Sequence, residues 1–188
     1  MSASARLDGL DAARPLRSAL LVAVPEAAAL VDPWRALHDS SAAVGVPGHV
    51  TILYPFVPVE RIDSAVEEAL LDAFGQIEPF SFRLARVTTL GSTLLCLVPE
   101  LPTPFELLTR LVRERWPELL PYEGTVETII HHLTIAEADP ETLSAIVPRL
   151  QGGLPVEGSC SDVWLMTEGA DGWWRLRARF PLGRAWAG

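Results

Sequence analysis

Two tetrapeptides constrain this chain more than anything else in it: His49-Val50-Thr51-Ile52 and His132-Leu133-Thr134-Ile135. Each lies in an apolar, β-branched stretch, where successive side chains point to opposite faces of a strand, so the imidazole and the hydroxyl project the same way. The chain holds 4 His, and two of them carry this pattern. The second copy sits in a longer apolar run that reads as one strand from Thr125 to Ala136.

The segments around the two motifs follow the same order. Ser18 to Val24 reads as a buried strand closed by Pro25, and Glu26 to Asp39 as a helix that Pro33 starts or kinks. Gly45 to Gly48 is a turn leading into the strand His49 to Phe56, followed by an amphipathic helix over Arg61 to Ile77 and an alternating strand over Phe80 to Val87. The second half replays this: strand Thr93 to Val98, helix Pro104 to Trp116, the second motif strand, helix Asp139 to Leu150 with Asp139 as N-cap, and a strand over Cys160 to Met166. Trp173 to Pro181 adds a last strand. The fold expected is α+β and bilobal, with approximate halves 18–91 and 92–182, two antiparallel sheets lining a central cleft and helices outside. Residues 1–17 read as a flexible leader, and 18–188 as a single domain.

Chemistry follows from the residue types. An imidazole titrates near neutrality and can give or take a proton, so two of them form an acid and base pair. A Thr hydroxyl hydrogen-bonds a phosphoryl oxygen. Together His49, His132, Thr51 and Thr134 suit in-line displacement at phosphorus without a metal. Strand alternation assigns Tyr54 to the face of His49 and Thr51, where it lines the cleft or fills core. The same two roles are open to Trp164, Trp173 and Trp174. Arg83, Arg175, Arg177 and Arg179 are either phosphate contacts or residues of solvated strands. His131 points away from His132 and reads as a packed residue, and His38 as a residue of a surface or boundary helix.

These motifs, set in two halves, resemble the 2H phosphoesterase superfamily, which includes the 2′,5′-RNA ligase-like proteins and the 2′,3′-cyclic nucleotide phosphodiesterases. Gly48-His-Val-Thr-Ile-Leu-Tyr-Pro-Phe56 is similar to bacterial members of the 2′,5′-RNA ligase family, and the resemblance runs from about Ser18 to Leu182. It implies a bilobal α+β fold and hydrolysis of a cyclic phosphodiester. It also implies that His49 protonates the leaving oxygen, His132 activates water, and Thr51 and Thr134 hold the phosphate. Where RNA ligase and cyclic-RNA phosphodiesterase members often have a basic residue shortly after the second motif, this chain has Glu137. The family also includes members acting on ADP-ribose cyclic phosphate.

The formal net charge is −9 and, histidines aside, every basic residue is Arg. That balance excludes a broad electrostatic grip on long duplex nucleic acid but not a small phosphorylated ligand or an RNA terminus. The longest aliphatic run, Ala19 to Val24, is too short to span a bilayer, so a cytoplasmic monomer is expected. Cys96 and Cys160 read as reduced, buried thiols. No cofactor is expected. Zinc on His49, His131 and His132 is one alternative, disfavoured because adjacent strand residues diverge. The others are a non-catalytic phosphate or nucleotide-binding module and 2′,5′-RNA ligase activity.

Overall fold

The computed structural model describes residues 14–120 and 129–183. In chain order its elements are β1 (Ser18–Ala23), α1 (Ala28–His38), α2 (Ser40–Ala43), β2 (His49–Leu53), α3 (Ser64–Gly75), β3 (Phe80–Leu90), β4 (Leu94–Pro99), α4 (Thr103–Arg115), β5 (Leu133–Glu137), α5 (Pro140–Leu150), β6 (Val156–Cys160), β7 (Asp162–Glu168) and β8 (Trp174–Pro181). The fold is α+β, as the sequence implies. None of the described helices is long and apolar enough to cross a membrane.

Local chemistry accounts for most of these boundaries. Asp63 caps α3 by accepting from Val66 N at 3.0 Å, and Asp139 caps α5 by accepting from Glu141 N and Thr142 N, with Pro140 in the first turn. Phe105, Leu108 and Val112 form the buried stripe of α4, and Leu70, Ala73 and Phe74 that of α3. Pro33 is tolerated inside α1 rather than starting it. Residues 14–17, expected in the leader, are tied to the domain: Val59 N donates to Leu16 O at 2.9 Å.

The sheet differs from the expectation of two. The eight strands among the described residues form one antiparallel sheet in the order β6-β3-β4-β5-β2-β1-β7-β8. Two four-stranded wings meet at β2 and β5 through the register Val50 opposite Leu133, and this join is what makes the sheet continuous. The wings also interleave along the chain: β1, β2, β7 and β8 form one, and β3, β4, β5 and β6 the other. The single strand expected over Cys160 to Met166 is two strands. Only Ser161 separates β6, at one end of the strand order, from β7, next to the other. One residue spans roughly 3.5 Å, so the wings must curl toward each other into a half-barrel.

Leu20, Val22, Val50, Ile52, Leu97, Leu133 and Ile135 face the helices in one continuous core. At about 1.5–3 kcal/mol for each buried aliphatic side chain, this layer dominates stability. Gly158 belongs to its margin: it lies opposite Phe82 in the ladder, and a Cβ there would meet the Phe82 ring at 2.5 Å. The opposite face of the sheet carries a smaller apolar cluster of Leu21, Val46 and Met166, with Ala23, Val44, Trp164 and Trp174 around it. That face is open, and it holds the cleft.

Candidate active site

Val50 and Leu133 hold equivalent positions in the two motifs and pair with each other, so a local two-fold axis passes between β2 and β5. Continuing that antiparallel register sets His49 opposite Thr134 and Thr51 opposite His132. Each imidazole thus neighbours the hydroxyl of the other motif, and the two histidines lie on a diagonal of roughly 7–8 Å between backbones. All four side chains line one cleft of about 820 Å³. They converge as the sequence requires, although His132 precedes β5 rather than lying within it. The ladder stops there because β4 ends at Pro99, which has no N–H to offer. The part of the expected strand over residues 125–128 lies outside the described residues.

Both imidazoles are oriented by the same device. His49 Nδ1–H donates to Pro47 O at 2.8 Å, and His132 Nδ1–H donates to Ile130 O at 2.6 Å. A carbonyl only accepts, so each Nδ1 carries the hydrogen and each Nε2 is left for a ligand. Burial pushes His49 down from 6.5 to about 4; the Pro47 carbonyl opposes this, the Arg35 guanidinium adds to it, Asp39 opposes it and His132 adds to it. Burial also lowers His132, against the pull of the Ile130 carbonyl. Two neutral imidazoles therefore face the cleft at neutral pH.

The base of His49 is built on a buried ion pair. Arg35 Nε donates to Asp39 Oδ2 at 2.9 Å, and Arg35 Nη2 donates to Val46 O at 3.0 Å. This pair fixes the turn that presents Pro47 O. Gly45, at φ 94, lets that turn pass beneath Trp173 and Trp174; a Cβ there would meet Trp174 O at 3.1 Å.

His131 is packed, as its side of the chain implies. Thr109 Oγ1–H donates to Ile52 O at 2.9 Å, so the 2.9 Å contact between Thr109 Oγ1 and His131 is a bond donated by Nε2–H. His131 also stacks on Phe105, and burial pushes it down to about 4. A hydroxyl on α4 thereby ties the first motif strand to the residue beside His132.

Tyr54 lines the cleft, but alternation is not the reason. Strict alternation from His49 and Thr51 would place Leu53 there. The pairing of β1 with β2 instead shifts between Leu20–Leu53 and Leu21–Thr51, leaving Ile52 as an extra residue, a β-bulge that returns Tyr54 to the face of Thr51. The second motif repeats this. β4 pairs with β5 through Leu95–Ala136 and Cys96–Thr134, so Ile135 is the extra residue and Glu137 shares the face of Thr134. Tyr54 and Glu137 are thus equivalent positions on opposite sides of the site.

Sequence reasoning missed Arg17, which lines the cleft, and its buried partner Glu168. Arg17 donates to Glu168 through Nε at 3.0 Å and Nη2 at 2.9 Å, and to Tyr54 OH through Nη1 at 2.6 Å. Its guanidinium lies 5.8 Å from the Tyr54 and Trp174 ring centroids. The bonds from Arg17 and Arg14 hold the Glu168 carboxyl down at about 2. No sequence signal points to Arg17, because the stretch before β1 carries no periodicity. Of the tryptophans left open, Trp174 lines the cleft. Trp164 lies under Arg179 at 4.2 Å, and Trp173 is largely exposed. Arg83, Arg175 and Arg177 pair with Glu100, Asp171 and Glu67 respectively. Cys96 and Cys160 are buried, their thiols pushed up to about 11 and about 12. Among the described residues, no three His, Cys, Asp or Glu side chains are grouped to hold a metal ion.

The family model of the 2′-5′ RNA ligase superfamily matches residues 23–172, spanning both motifs. The chain belongs to this superfamily. Solved structures share the fold. Escherichia coli LigT, crystallised with 3′-AMP, is 18% identical with a TM-score of 0.57, over 90% of this chain and 99% of that one. The same protein crystallised with phosphate gives 19% and 0.54 at the same coverage. TT0787 of Thermus thermophilus gives 19% and 0.55, over 89% of this chain and 98% of that one. No curated protein matches in sequence.

Proposed function

We propose that this chain is a metal-independent phosphoesterase that hydrolyses a cyclic phosphodiester: a 2′,3′-cyclic nucleotide, an RNA end of that kind, or an ADP-ribose cyclic phosphate. The observation that carries the reading is the crossed pair of His and Thr, each imidazole clamped at Nδ1 and free at Nε2. The hydroxyls of Thr51 and Thr134 donate to the non-bridging oxygens. His132 Nε2 takes a proton from water as its oxygen bonds to phosphorus. His49, protonated at Nε2 once the anion is bound, gives its proton to the departing ribose oxygen as the bond from phosphorus to that oxygen breaks. The products are a phosphomonoester and a free hydroxyl; in the step His49 gives up one proton and His132 gains one. Membership of the superfamily supports the reaction class, and the phosphate and 3′-AMP bound to LigT support a small phosphorylated ligand.

Turnover of a panel of these cyclic phosphates tests the reading, with and without exhaustive chelation. One or more should be hydrolysed, chelation should leave the rate unchanged, and His49→Ala and His132→Ala should each lower kcat by about 10²–10⁴-fold. Because both histidines act in one step, the double variant should lose little beyond the worse single. Near-normal turnover in either single variant, or activity abolished by chelator and restored by zinc, overturns it.

A further inference from the structure

The two motif strands match so closely that the place where they part is informative. Each has a bulge immediately after its Thr, and each bulge returns the residue three past the Thr to the cleft face: Tyr54 on one side, Glu137 on the other. Around Tyr54 the wall is aromatic and cationic, with Arg17 and Trp174. Beside Glu137 it is aliphatic: Leu94 is its ladder partner, and Leu90 lies opposite Leu94 on the next strand. Glu137 is exposed and has no ion-pair partner among the described residues.

The cleft's charges do not invite a second phosphate. Of the charged side chains lining it, Arg17 is held by both Glu168 oxygens and the Tyr54 hydroxyl, and Asp39 is matched by buried Arg35. Among the described residues Glu137 remains an uncompensated carboxylate, on the same strand face as Thr134. In a chain of net charge −9, no surplus of cations offsets it. A ligand with one phosphoryl group, seated between the histidines, leaves Glu137 to water. A polynucleotide brings further phosphates into the cleft, where the carboxylate repels them across low-dielectric walls.

Resting on the proposed reaction, we infer that Glu137 makes the cleft selective for mononucleotide-sized cyclic phosphates and against the cyclic-phosphate ends of RNA chains. Glu137 acts as a specificity-determining residue, with the planar part of the ligand against Tyr54 and Trp174.

The experiment compares kcat/KM for 2′,3′-cyclic AMP and for an adenosine trinucleotide ending in a 2′,3′-cyclic phosphate, in wild type, Glu137→Gln and Glu137→Arg. Wild type should prefer the mononucleotide by about tenfold or more at low salt. The trinucleotide-to-mononucleotide ratio should rise by about threefold in Glu137→Gln and about tenfold in Glu137→Arg, and the differences should shrink as salt rises. A parallel calorimetric arm measures binding of 2′-AMP and of the trinucleotide 2′-phosphate to the same three proteins, so selectivity is read even where turnover is not. Equal or better use of the trinucleotide by wild type, or a ratio unmoved by Glu137→Arg in both arms, overturns the inference. Selective binding that Glu137→Arg reverses, without turnover of either cyclic phosphate, overturns the reaction while leaving the selectivity standing.

Discussion

At the scale of single residues, the state of the imidazoles decides what the site can do. Burial holds His49 at about 4 in the ligand-free protein, yet the proposed acid must carry a second proton. A bound phosphate anion supplies the missing stabilisation, since it favours imidazolium against the neutral ring. Binding of inorganic phosphate at about pH 6 should therefore take up a proton, an effect lost in His49→Ala and measurable by calorimetry in buffers of different ionisation enthalpy. Binding without proton uptake would count against a His49 acid. His131 makes a separate contribution. Its folded value of about 4 lies below the ordinary 6.5, so its stabilisation is complete above 6.5 and is lost as pH falls through that window toward 4. Thr109→Val leaves both Ile52 O and His131 Nε2–H unpaired in the interior. It should cost about 1–3 kcal/mol in urea unfolding, with Thr109→Ser restoring most of it. An unchanged midpoint in Thr109→Val would remove that bridge from the account.

At the scale of elements, strand and helix types were legible wherever periodicity and caps spoke together. Asp139 before Pro140 announces α5, and the apolar stripe over Phe105, Leu108 and Val112 announces α4. Asp63 was less visible, yet it caps α3 away from the cleft. Asp63→Ala should lower stability by about 1 kcal/mol in urea while leaving turnover per folded molecule unchanged; a loss of turnover at full folding would mean that α3 reaches the site by another route. The His and Thr pairs were legible because a period of two survives over three residues. Tyr54 was placed on the right face for the wrong reason, and Glu137 entered as a departure from the family pattern without a place on the cleft wall. A bulge is a property of the partner strand's register, and nothing in Ile52 or Ile135 marks it locally. The single strand drawn through Cys160 to Met166 failed similarly: a lone Ser161 beside Asp162 is too weak a turn signal to end a strand, and the break comes from two distant ladders claiming its neighbours. Arg17 was missed because its partner Glu168 lies 151 residues away.

At the scale of the whole molecule, the order of motifs anticipated His and Thr side chains from both halves of the chain in one cleft, and the single curled sheet explains how they meet. Each wing takes strands from both halves of the sequence: β1 waits for β7 on one flank, while β4 finds β3 beside it and β5 beyond α4. The consequence concerns how the chain acquires its shape. On emerging from the ribosome, β1 and β2 can pair with each other, but β1 keeps an open edge until Asp162 and the residues after it have been made. The slow step of folding should be closure of that long loop, against which local hairpin pairing offers little help. Expressed separately, fragments 1–91 and 92–188 should each stay unfolded, as read by circular dichroism. Mixed, they should recover the sheet through pairing of β1 with β7 and of β3 with β4. A cooperative unfolding transition in either fragment alone would show that the two halves are separable after all. If they are not, the nascent chain carries an exposed apolar strand edge for most of its synthesis, and its yield in cells will depend on whatever shields that edge as much as on the stability of the finished protein.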